Sequence, residues 1–425
     1  MTTPNLSRDE AAVLAAIDEQ ALAHTLVELL AVPSVTGSAA ESDCQHLLAR
    51  QCNRFGLDVD LWSMDLAALT ADPDFPGNEA PRDEAWGLVA STPGHGDGST
   101  VILQGHVDVV PAGDRAQWDG DPFVPRVDGD LVHARGAADM KAGVAANLAV
   151  LAAVQASGVR LRGRLSGHFV VSEEDGGLGA FGTLRRGHTG DACIITEPTA
   201  GTLVTATAGA LTFRIEVPGR SAHASVRDSG ASAIDAYQPI HAALARLEAR
   251  RNTDPDPLLA GYAVPYALSV GTLRAGDWAS SVPDLLVAEG RLGVRLGEAP
   301  AAARDELERC VAGACAEHPW LRHHPARVRW PGGQFASGRL PAGHPLRELV
   351  GTAHADVTGG PRPAERGAPY GSDLRLYAEA GVPTLHYGPG DVRLAHGPRE
   401  RVSLAETVQV TRTLALAVLR AVGTK

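Results

Sequence analysis

Several features that would point to particular protein classes are scarce or missing in this chain of 425 residues. Aromatic residues make up only 4% of it, so we expect a core built mainly from Ala, Val and Leu. The net charge is −12, and no basic stripe of the kind that nucleic-acid-binding proteins carry is visible. The nearest candidate, RLRGRL at 160–165, is interpreted as an exposed turn before a strand. We therefore expect no nucleic-acid partner.

Paired cysteines, a secretion signal and a long apolar run are also missing. The five cysteines, Cys44, Cys52, Cys193, Cys310 and Cys315, show no C-x-x-C spacing, which argues against a zinc knuckle or a redox dithiol. The first twenty residues carry acids early and lack a basic start followed by an apolar core. No apolar run approaches the roughly 20 residues that cross a bilayer. Reduced, mostly buried thiols are typical of cytosolic proteins, so we predict a cytoplasmic protein without a membrane partner.

The remaining composition is that of a globular protein, with 44% hydrophobic and 21% charged residues. A chain of this length favours two domains. Short apolar runs at 101–110, 167–172 and 192–199 suit inner strands of a parallel sheet. The Ala-rich segment 140–158 lies between the first two runs and predicts a helix. The resulting fold class is α/β, with a parallel-rich sheet and helices on both faces.

Two further helices are predicted near the N-terminus, at 10–31 and 41–55. After residue 203 the pattern changes to strand, helix, two strands, helix and a short strand. This β-α-β-β-α-β order is the split ferredoxin-like arrangement. A Pro/Gly-rich connector at 331–345 then leads back to helix and strand patterning. We therefore predict a catalytic domain at 1–202 and 333–425 and an inserted domain at 203–332.

The stretch LQGHVDVVP at 103–111 places two polar side chains inside an apolar strand. His106 and Asp108 are two residues apart, so on a strand their side chains share a face. An aspartate near a metal-bound histidine can accept its second N–H and fix the tautomer. The pair alone also fits a structural histidine that is hydrogen-bonded to an aspartate.

Five further polar residues stand at the ends of predicted strands or in turns: Asp139, Glu173, Glu174, Glu197 and His396. Each alone fits a structural role, because Asp139 could cap a helix and adjacent glutamates often form a solvated turn. Ligands of α/β sheets gather at the carboxyl ends of the strands. The occurrence of all five at such positions predicts a functional site.

The motifs GHVDVVP, ARGAADMKAG, SEEDGG, ITEPT and AHGPRE, in this order, resemble the signatures of the M20 metallopeptidase family. That family includes acetylornithine deacetylase, succinyl-diaminopimelate desuccinylase, aminoacylases, carboxypeptidases and dipeptidases. The resemblance covers nearly the whole chain. It implies a zinc-exopeptidase-like catalytic domain with an inserted domain that serves as lid and dimerisation module.

The resemblance also implies a dinuclear metal centre. Its ligands would be His106 and Glu197 on one ion, Glu174 and His396 on the other, and Asp139 as a bridge to both, with a cis peptide bond after Asp139. Histidine and carboxylate ligands without thiolate suit Zn²⁺, with Co²⁺ or Mn²⁺ tolerated.

Three residues receive catalytic roles from the resemblance. Glu173 would be the general base that takes a proton from a metal-bridging water and returns it to the leaving amine. Asp108 would orient His106. His223, in GRSAHASVRD, would reach the active site of a partner subunit and stabilise the oxyanion, which requires a homodimer formed through the inserted domain. A turn histidine at a helix start is the alternative interpretation of His223.

Substrate contacts are implied at Arg295, Gly371 and Ser372. Arg295 would bind a substrate carboxylate through a two-pronged hydrogen bond, although a surface arginine fits its pattern nearly as well. Gly371 and Ser372 would offer backbone and hydroxyl donors. Ser281 stands where several desuccinylases have asparagine, which weakens the case for a succinyl substrate.

The predicted function is metal-dependent hydrolysis of the amide bond of an N-acyl amino acid, in the manner of acetylornithine deacetylase. A dipeptidase or carboxypeptidase of the same family is the first alternative, with a short peptide as substrate. A deacylase of an acylated heterocyclic amine is the second. A catalytically inactive binding protein on the same fold is the third.

Overall fold

The computed structural model of the chain describes residues 6–425. The first five residues belong to the stretch on which the prediction about a secretion signal depends, and they lie outside the described residues. The chain divides into two compact units. The first contains the described residues up to Ala206, Arg339–Arg366 and Asp373–Lys425, and the second contains Thr207–Gly338 and Gly367–Ser372.

Helices and strands alternate along the chain. The helices are α1 (Arg8–Ala15), α2 (Glu19–Leu30), α3 (Ala40–Arg54), α4 (Leu66–Ala71), α5 (Ala142–Ser157), α6 (Leu178–Arg185), α7 (Ala233–Arg251), α8 (Pro300–Glu317), α9 (Leu346–Thr358), α10 (Leu374–Glu379) and α11 (Leu404–Val422). The strands are β1 (Asp58–Ser63), β2 (Trp86–Ser91), β3 (Thr100–His106), β4 (Arg126–Asp128), β5 (Leu131–His133), β6 (Arg164–Val170), β7 (Ala192–Pro198), β8 (Leu203–Thr207), β9 (Gly209–Pro218), β10 (Leu268–Ala275), β11 (Leu285–Val294), β12 (Arg327–Arg329), β13 (Gln334–Phe335), β14 (Gly338–Arg339), β15 (Glu365–Ala368), β16 (Thr384–Gly388) and β17 (Arg401–Ser403).

The first unit is built on a sheet in the order β1-β2-β6-β3-β7-β16-β8-β14, with β15 paired to β8. Its four central strands, β6, β3, β7 and β16, run parallel to one another, whereas β1, β2 and β8 pair antiparallel. The predicted α/β class is confirmed. Because the central strands are parallel, their carboxyl ends meet at one edge of the sheet.

Helix α5 packs directly against this sheet. At Gly143 an added Cβ would lie 2.2 Å from the carbonyl oxygen of Thr196 in β7, so only glycine permits the approach. The segment Ala137–Ser157 is the one helical stretch of residues 6–425 that is long and apolar enough to cross a membrane. It passes by length and composition only, and 83% of the apolar window is buried inside the protein, as in a core helix.

The single helix predicted at 10–31 is two helices, because the chain breaks before Glu19. The Asp18 side chain accepts hydrogen bonds from the N–H groups of Gln20 and Ala21 and starts α2 as an N-cap. Apolar spacing alone did not reveal this cap. Helix α3, at Ala40–Arg54, agrees with the helix predicted at 41–55.

The second unit has the ferredoxin-like order that the sequence pattern predicted. Its sheet runs β10-β11-β9-β12, with β13 also paired to β9, and every pairing is antiparallel. Helices α7 and α8 bury an apolar face each, and the core of this unit is separate from the core of the first. Strand β10 is an edge strand of this sheet.

All five cysteines are free thiols. Four of them are buried and Cys310 is partly exposed.

Candidate metal centre

The polar residues singled out in the sequence converge at the carboxyl edge of the central strands. His106 is the last residue of β3, and Glu197 is the next-to-last residue of β7. Glu173 and Glu174 lie in the turn that follows β6. Parallel pairing of β3 with both β6 and β7 makes these ends neighbours although the chain separates them by dozens of residues.

Asp139 lies at the centre of the cluster. Its Oδ1 is 3.3 Å from Nε2 of His106, and its Oδ2 is 3.4 Å from Nε2 of His396. Each carboxylate oxygen therefore faces a different histidine, which is the arrangement that a bridging ligand needs. Asp139 lies at a kink before α5, where its backbone angles are not helical, and the Asp139–Met140 peptide bond is cis. It does not cap α5, whose N-cap is Lys141.

One glutamate accompanies each histidine. Oε1 of Glu197 lies 3.6 Å from Nε2 of His106, and Oε1 of Glu174 lies 3.1 Å from Nε2 of His396. The His106 side is buried, whereas the His396 side chain is 53% exposed. The cluster therefore has a closed half inside the protein and a half that solvent and small molecules can reach.

The backbone carbonyl and the side-chain carboxylate of Asp108 contact different residues of the site. Its carbonyl oxygen lies 2.9 Å from Nδ1 of His106 and orients that ring, whereas its carboxylate is 3.6 Å away. The carboxylate instead accepts the N–H groups of Glu173 and Glu174, each at 3.2 Å. It also accepts the hydroxyl of Thr36 at 2.9 Å. The acid thus supports the turn that carries both glutamates.

Burial controls the protonation of the two glutamates that face inward. Burial, together with the Glu197 carboxylate, raises the pKa of Glu173 well above its usual range. Burial and the nearby Asp139 raise the pKa of Glu197 in the same direction. A raised pKa suits a group that must take up a proton and release it near neutral pH.

Asp139, between the two histidines, has a lowered pKa, whereas the pKa values of Glu173 and Glu197 are raised. Burial works against ionisation of Asp139, yet the rings of His106 and His396, which face its two oxygens, hold its pKa below the usual value. Hydrogen bonds with Asp139 and Glu174 raise the pKa of His396 to about 11. Burial opposes the charged form of His106, but Asp139 and Glu197 outweigh it and raise its pKa. Both imidazoles are thus pulled towards the cationic form by the carboxylates around them.

The donor set fits divalent metal ions. Four carboxylates, those of Asp139, Glu173, Glu174 and Glu197, surround two imidazoles, so the ring cations alone leave a net negative charge in a largely buried place. Nε2 of His106 is buried without a well-aligned hydrogen-bond partner among the described residues, although carboxylate oxygens lie 3.3 and 3.6 Å away. A metal cation between Nε2 of His106 and these carboxylates would accept the nitrogen lone pair and remove its repulsion with the carboxylate oxygens.

One buried acid of this site escaped the sequence reasoning. Oε1 of Glu400 accepts the N–H groups of Ala138 and Asp139, each at 3.1 Å, and Oε2 accepts Nη1 of Arg135 at 2.5 Å. Glu400 and Arg135 are 1% and 2% exposed. Glu400 closes the AHGPRE motif, four residues after His396, so the motif did contain the signal. It ties the loop of His396 to the loop of Asp139.

The remaining predicted site residues belong to the second unit. His223 precedes a short helical turn, where its Nδ1 lies 2.7 Å from the hydroxyl of Ser225, and it is exposed. Arg295 follows β11 and donates from Nε to the carbonyl of Arg251. Gly371 packs against Phe335. Ser372, which was also predicted to contact substrate, is buried.

A sheet with parallel central strands and a cluster of histidines and carboxylates at their carboxyl ends is the arrangement expected of a metal-dependent hydrolase. The sequence model of peptidase family M20/M25/M40 matches residues 102–420. The chain belongs to this family and is an enzyme that acts on amide bonds.

Curated relatives of this chain include deacylases. The N-formyl-4-amino-5-aminomethyl-2-methylpyrimidine deformylase of Halalkalibacterium halodurans is 27% identical over 419 residues, which cover 93% of this chain and 92% of that protein. The Bacillus subtilis protein of the same name is 27% identical over 399 residues, 87% of each chain. A succinyl-diaminopimelate desuccinylase of Leptothrix cholodnii is 31% identical over 267 residues, 60% of this chain and 63% of that protein.

Solved structures share the fold. Human carnosine dipeptidase 1 superposes with a TM-score of 0.76 at 15% identity and covers 99% of this chain and 100% of its own. The YXEP protein of Bacillus subtilis, described as a dinuclear metal-binding peptidase of the M20 family, has a TM-score of 0.61 at 17% identity, with 96% and 98% covered.

Proposed function

We propose that this enzyme removes a short acyl group from the amino group of a small molecule, with an N-acyl amino acid as its substrate class. The observation that carries the proposal is the cluster itself. Asp139 faces a histidine with each oxygen, each histidine has its own glutamate, and a further buried glutamate, Glu173, stands beside them.

A second candidate substrate has independent support. Two relatives that match along 93% and 87% of this chain are named as deformylases of an aminomethylpyrimidine, and two succinyl-diaminopimelate desuccinylases match along 89% and 90% of it. A formylated heterocyclic amine shares the scissile bond of an N-acyl amino acid but carries no carboxylate. Ser281 stands where several desuccinylases have asparagine, which weakens the case for a succinyl group in either case.

Two divalent ions, Zn²⁺ in our proposal, would be held by five residues. His106 and Glu197 would hold one ion, Glu174 and His396 the other, and Asp139 both. When bound, such ions polarise the scissile carbonyl and lower the pKa of a coordinated water.

Glu173 would perform the proton transfers. Its burial and its raised pKa suit a carboxylate that takes a proton from the attacking water and delivers it to the leaving amine. Asp108 supports this role, because its carboxylate holds the main-chain N–H of Glu173. A side chain fixed by a buried neighbour needs little reorganisation before it reacts.

The second unit would supply dimer contacts and His223. Strand β10 stands at the end of its sheet, and two large apolar side chains there, Leu273 and Trp278, are 50% and 72% exposed. Exposed apolar side chains beside an end strand support a homodimer formed through this unit. His223 would then serve the active site of the partner subunit.

The substrate proposal is tested with a panel of purified compounds. The Zn²⁺-loaded enzyme is assayed against N-acetyl-ornithine, other N-acetyl amino acids, an N-formylated aminomethylpyrimidine, succinyl-diaminopimelate and simple dipeptides. We expect kcat/KM for an acetyl or formyl compound to exceed that for the succinyl compound and the dipeptides by at least about 100-fold, a margin of roughly 3 kcal/mol in transition-state binding. A preference for dipeptides would establish the peptidase alternative instead.

His223→Ala is expected to lower kcat by about 100-fold while metal content stays unchanged, because the side chain donates to the oxyanion and holds no metal. Its role in a partner subunit is tested by reassociating His223→Ala with Glu173→Ala subunits. If His223 acts across the dimer, each mixed dimer contains one complete site, and random mixing restores about a quarter of the wild-type rate. If it acts within its own subunit, no mixture recovers activity.

A further inference from the structure

Three charged side chains that the proposed mechanism does not use are buried next to the metal centre. Glu41, Arg82 and Asp175 have side chains that are only 3%, 3% and 6% exposed. Buried charges are rare without a partner, and each of these finds one in the group.

Arg82 joins the two acids. Its Nη1 donates to Oε2 of Glu41 at 3.0 Å, and its Nη2 donates to both oxygens of Asp175, at 3.0 and 3.1 Å. The planar guanidinium presents donors in a fixed fork, so the two acids are held at a set separation and angle.

Glu41 and Asp175 both accept hydrogen bonds from Ser172, the residue that precedes the candidate base Glu173. Glu41 accepts the N–H of Ser172 at 3.0 Å, and Asp175 accepts the hydroxyl of the same serine. Asp175 also accepts the N–H groups of Glu79 and Ala80, at 3.2 and 2.8 Å. Ser172 is therefore held through its backbone and its side chain by acids that Arg82 keeps in place.

The backbone conformation of Ser172 depends on these hydrogen bonds. Its φ of 63° lies in the left-handed region, which non-glycine residues adopt only at a cost. Glu173 and Glu174 follow directly, and their N–H groups are held from the other side by Asp108. If these hydrogen bonds to Ser172 were lost, the turn would relax and the side chains of Glu173 and Glu174 would move.

We propose that Arg82 is a positioning residue of the active site: by bridging Glu41 and Asp175 it holds the turn that aims Glu173 at the reacting water and Glu174 at its metal ion. The proposal rests on the function proposed above. It assigns Arg82 no contact with substrate or metal, only the geometry of residues that make such contacts.

Arg82→Lys is the decisive variant, because lysine keeps the positive charge but offers its donors from a single nitrogen, without the planar fork that sets the separation of the two carboxylates. We expect kcat to fall by at least about tenfold with KM within about threefold, since misplacement of a catalytic group by about 1 Å can cost 100-fold. Titration with Co²⁺, followed by its visible absorption, should show one of two equivalents bound at least about tenfold more weakly, because Glu174 serves one ion.

The control is Arg186→Lys, in which the altered arginine forms a similar forked pair with Asp60 on the surface. It should match the wild type in rate and in Co²⁺ binding. If Arg82→Lys changes only the melting temperature, with kcat and both Co²⁺ affinities within twofold of the wild type, Arg82 merely supports the fold and the proposal is rejected.

Two further outcomes are also decisive. Should Arg82→Lys not fold, Asp175→Asn is judged by the same criteria, since it keeps the arginine and the side-chain volume. If the wild type hydrolyses no compound of the panel, the proposed substrate class fails, and the Co²⁺ titration still decides the role of Arg82.

Discussion

Glu173→Ala is expected to retain its full metal content and to lose turnover by at least about 10³-fold, as removal of a general base does. The side chain is 7% exposed, and burial together with Glu197 raises its pKa, which suits a group that takes up a proton and releases it. Steady-state hydrolysis kinetics measure turnover, and metal analysis of the same sample measures metal content.

The matched control is Glu379→Gln, which changes an exposed glutamate at the end of α10. It should leave kcat within about twofold, as surface substitutions usually do. A Glu173→Ala enzyme that turns over at the wild-type rate would show that the proton is carried by a different group. Loss of metal in this variant would instead identify Glu173 as a ligand, for which its proximity to His106 and Glu197 gives some geometric basis.

Asp139→Asn is expected to have the second large effect. Each oxygen of Asp139 faces a different histidine, so replacing one oxygen by an amide removes a ligand from one ion and the bridging charge from both. We expect metal content to fall from two equivalents to one or fewer and kcat to fall by at least about 10³-fold, since metal ions supply several kcal/mol of transition-state stabilisation. Elemental analysis of the dialysed protein and the rate in excess Zn²⁺ are the measurements.

Asp128→Asn provides the comparison for this variant, because Asp128 is an aspartate on β4 whose side chain is 73% exposed. It should bind two equivalents and react at the wild-type rate. If Asp139→Asn also kept both ions, the bridge would have to be made by another residue, and Glu197 and Glu174 would be the first to test.

The predicted fold class holds because its signals are local. Apolar runs of six to ten residues bounded by turns became β3, β6 and β7, and the Ala-rich segment closed by Gly158 became α5. The alternating strands after residue 203 became an antiparallel sheet in the ferredoxin-like order. Where a local signal was overlooked, the prediction was wrong, as at Asp18, whose cap divides a long amphipathic stretch into α1 and α2.

The domain limits differ by a few residues between the prediction and the structure. The prediction placed the insertion at 203–332, whereas the second unit contains Thr207–Gly338 and, in addition, Gly367–Ser372. The last segment could not have been assigned from periodicity. It joins the second unit through contacts such as that of Gly371 with Phe335, which lies far from it in the chain.

The residue types, their order and their positions after apolar strands follow from the sequence alone, because strand periodicity and the chemistry of histidine and carboxylate are properties of short segments. Only the tertiary structure decided which oxygen of Asp139 faces which histidine, that the Asp108 carboxylate holds the turn of Glu173 while its carbonyl orients His106, and that Glu400 and Arg82 support the site. These contacts join groups up to 265 residues apart. Such pairings are fixed when parallel strands align their ends and a buried polar group takes whichever partner is within reach.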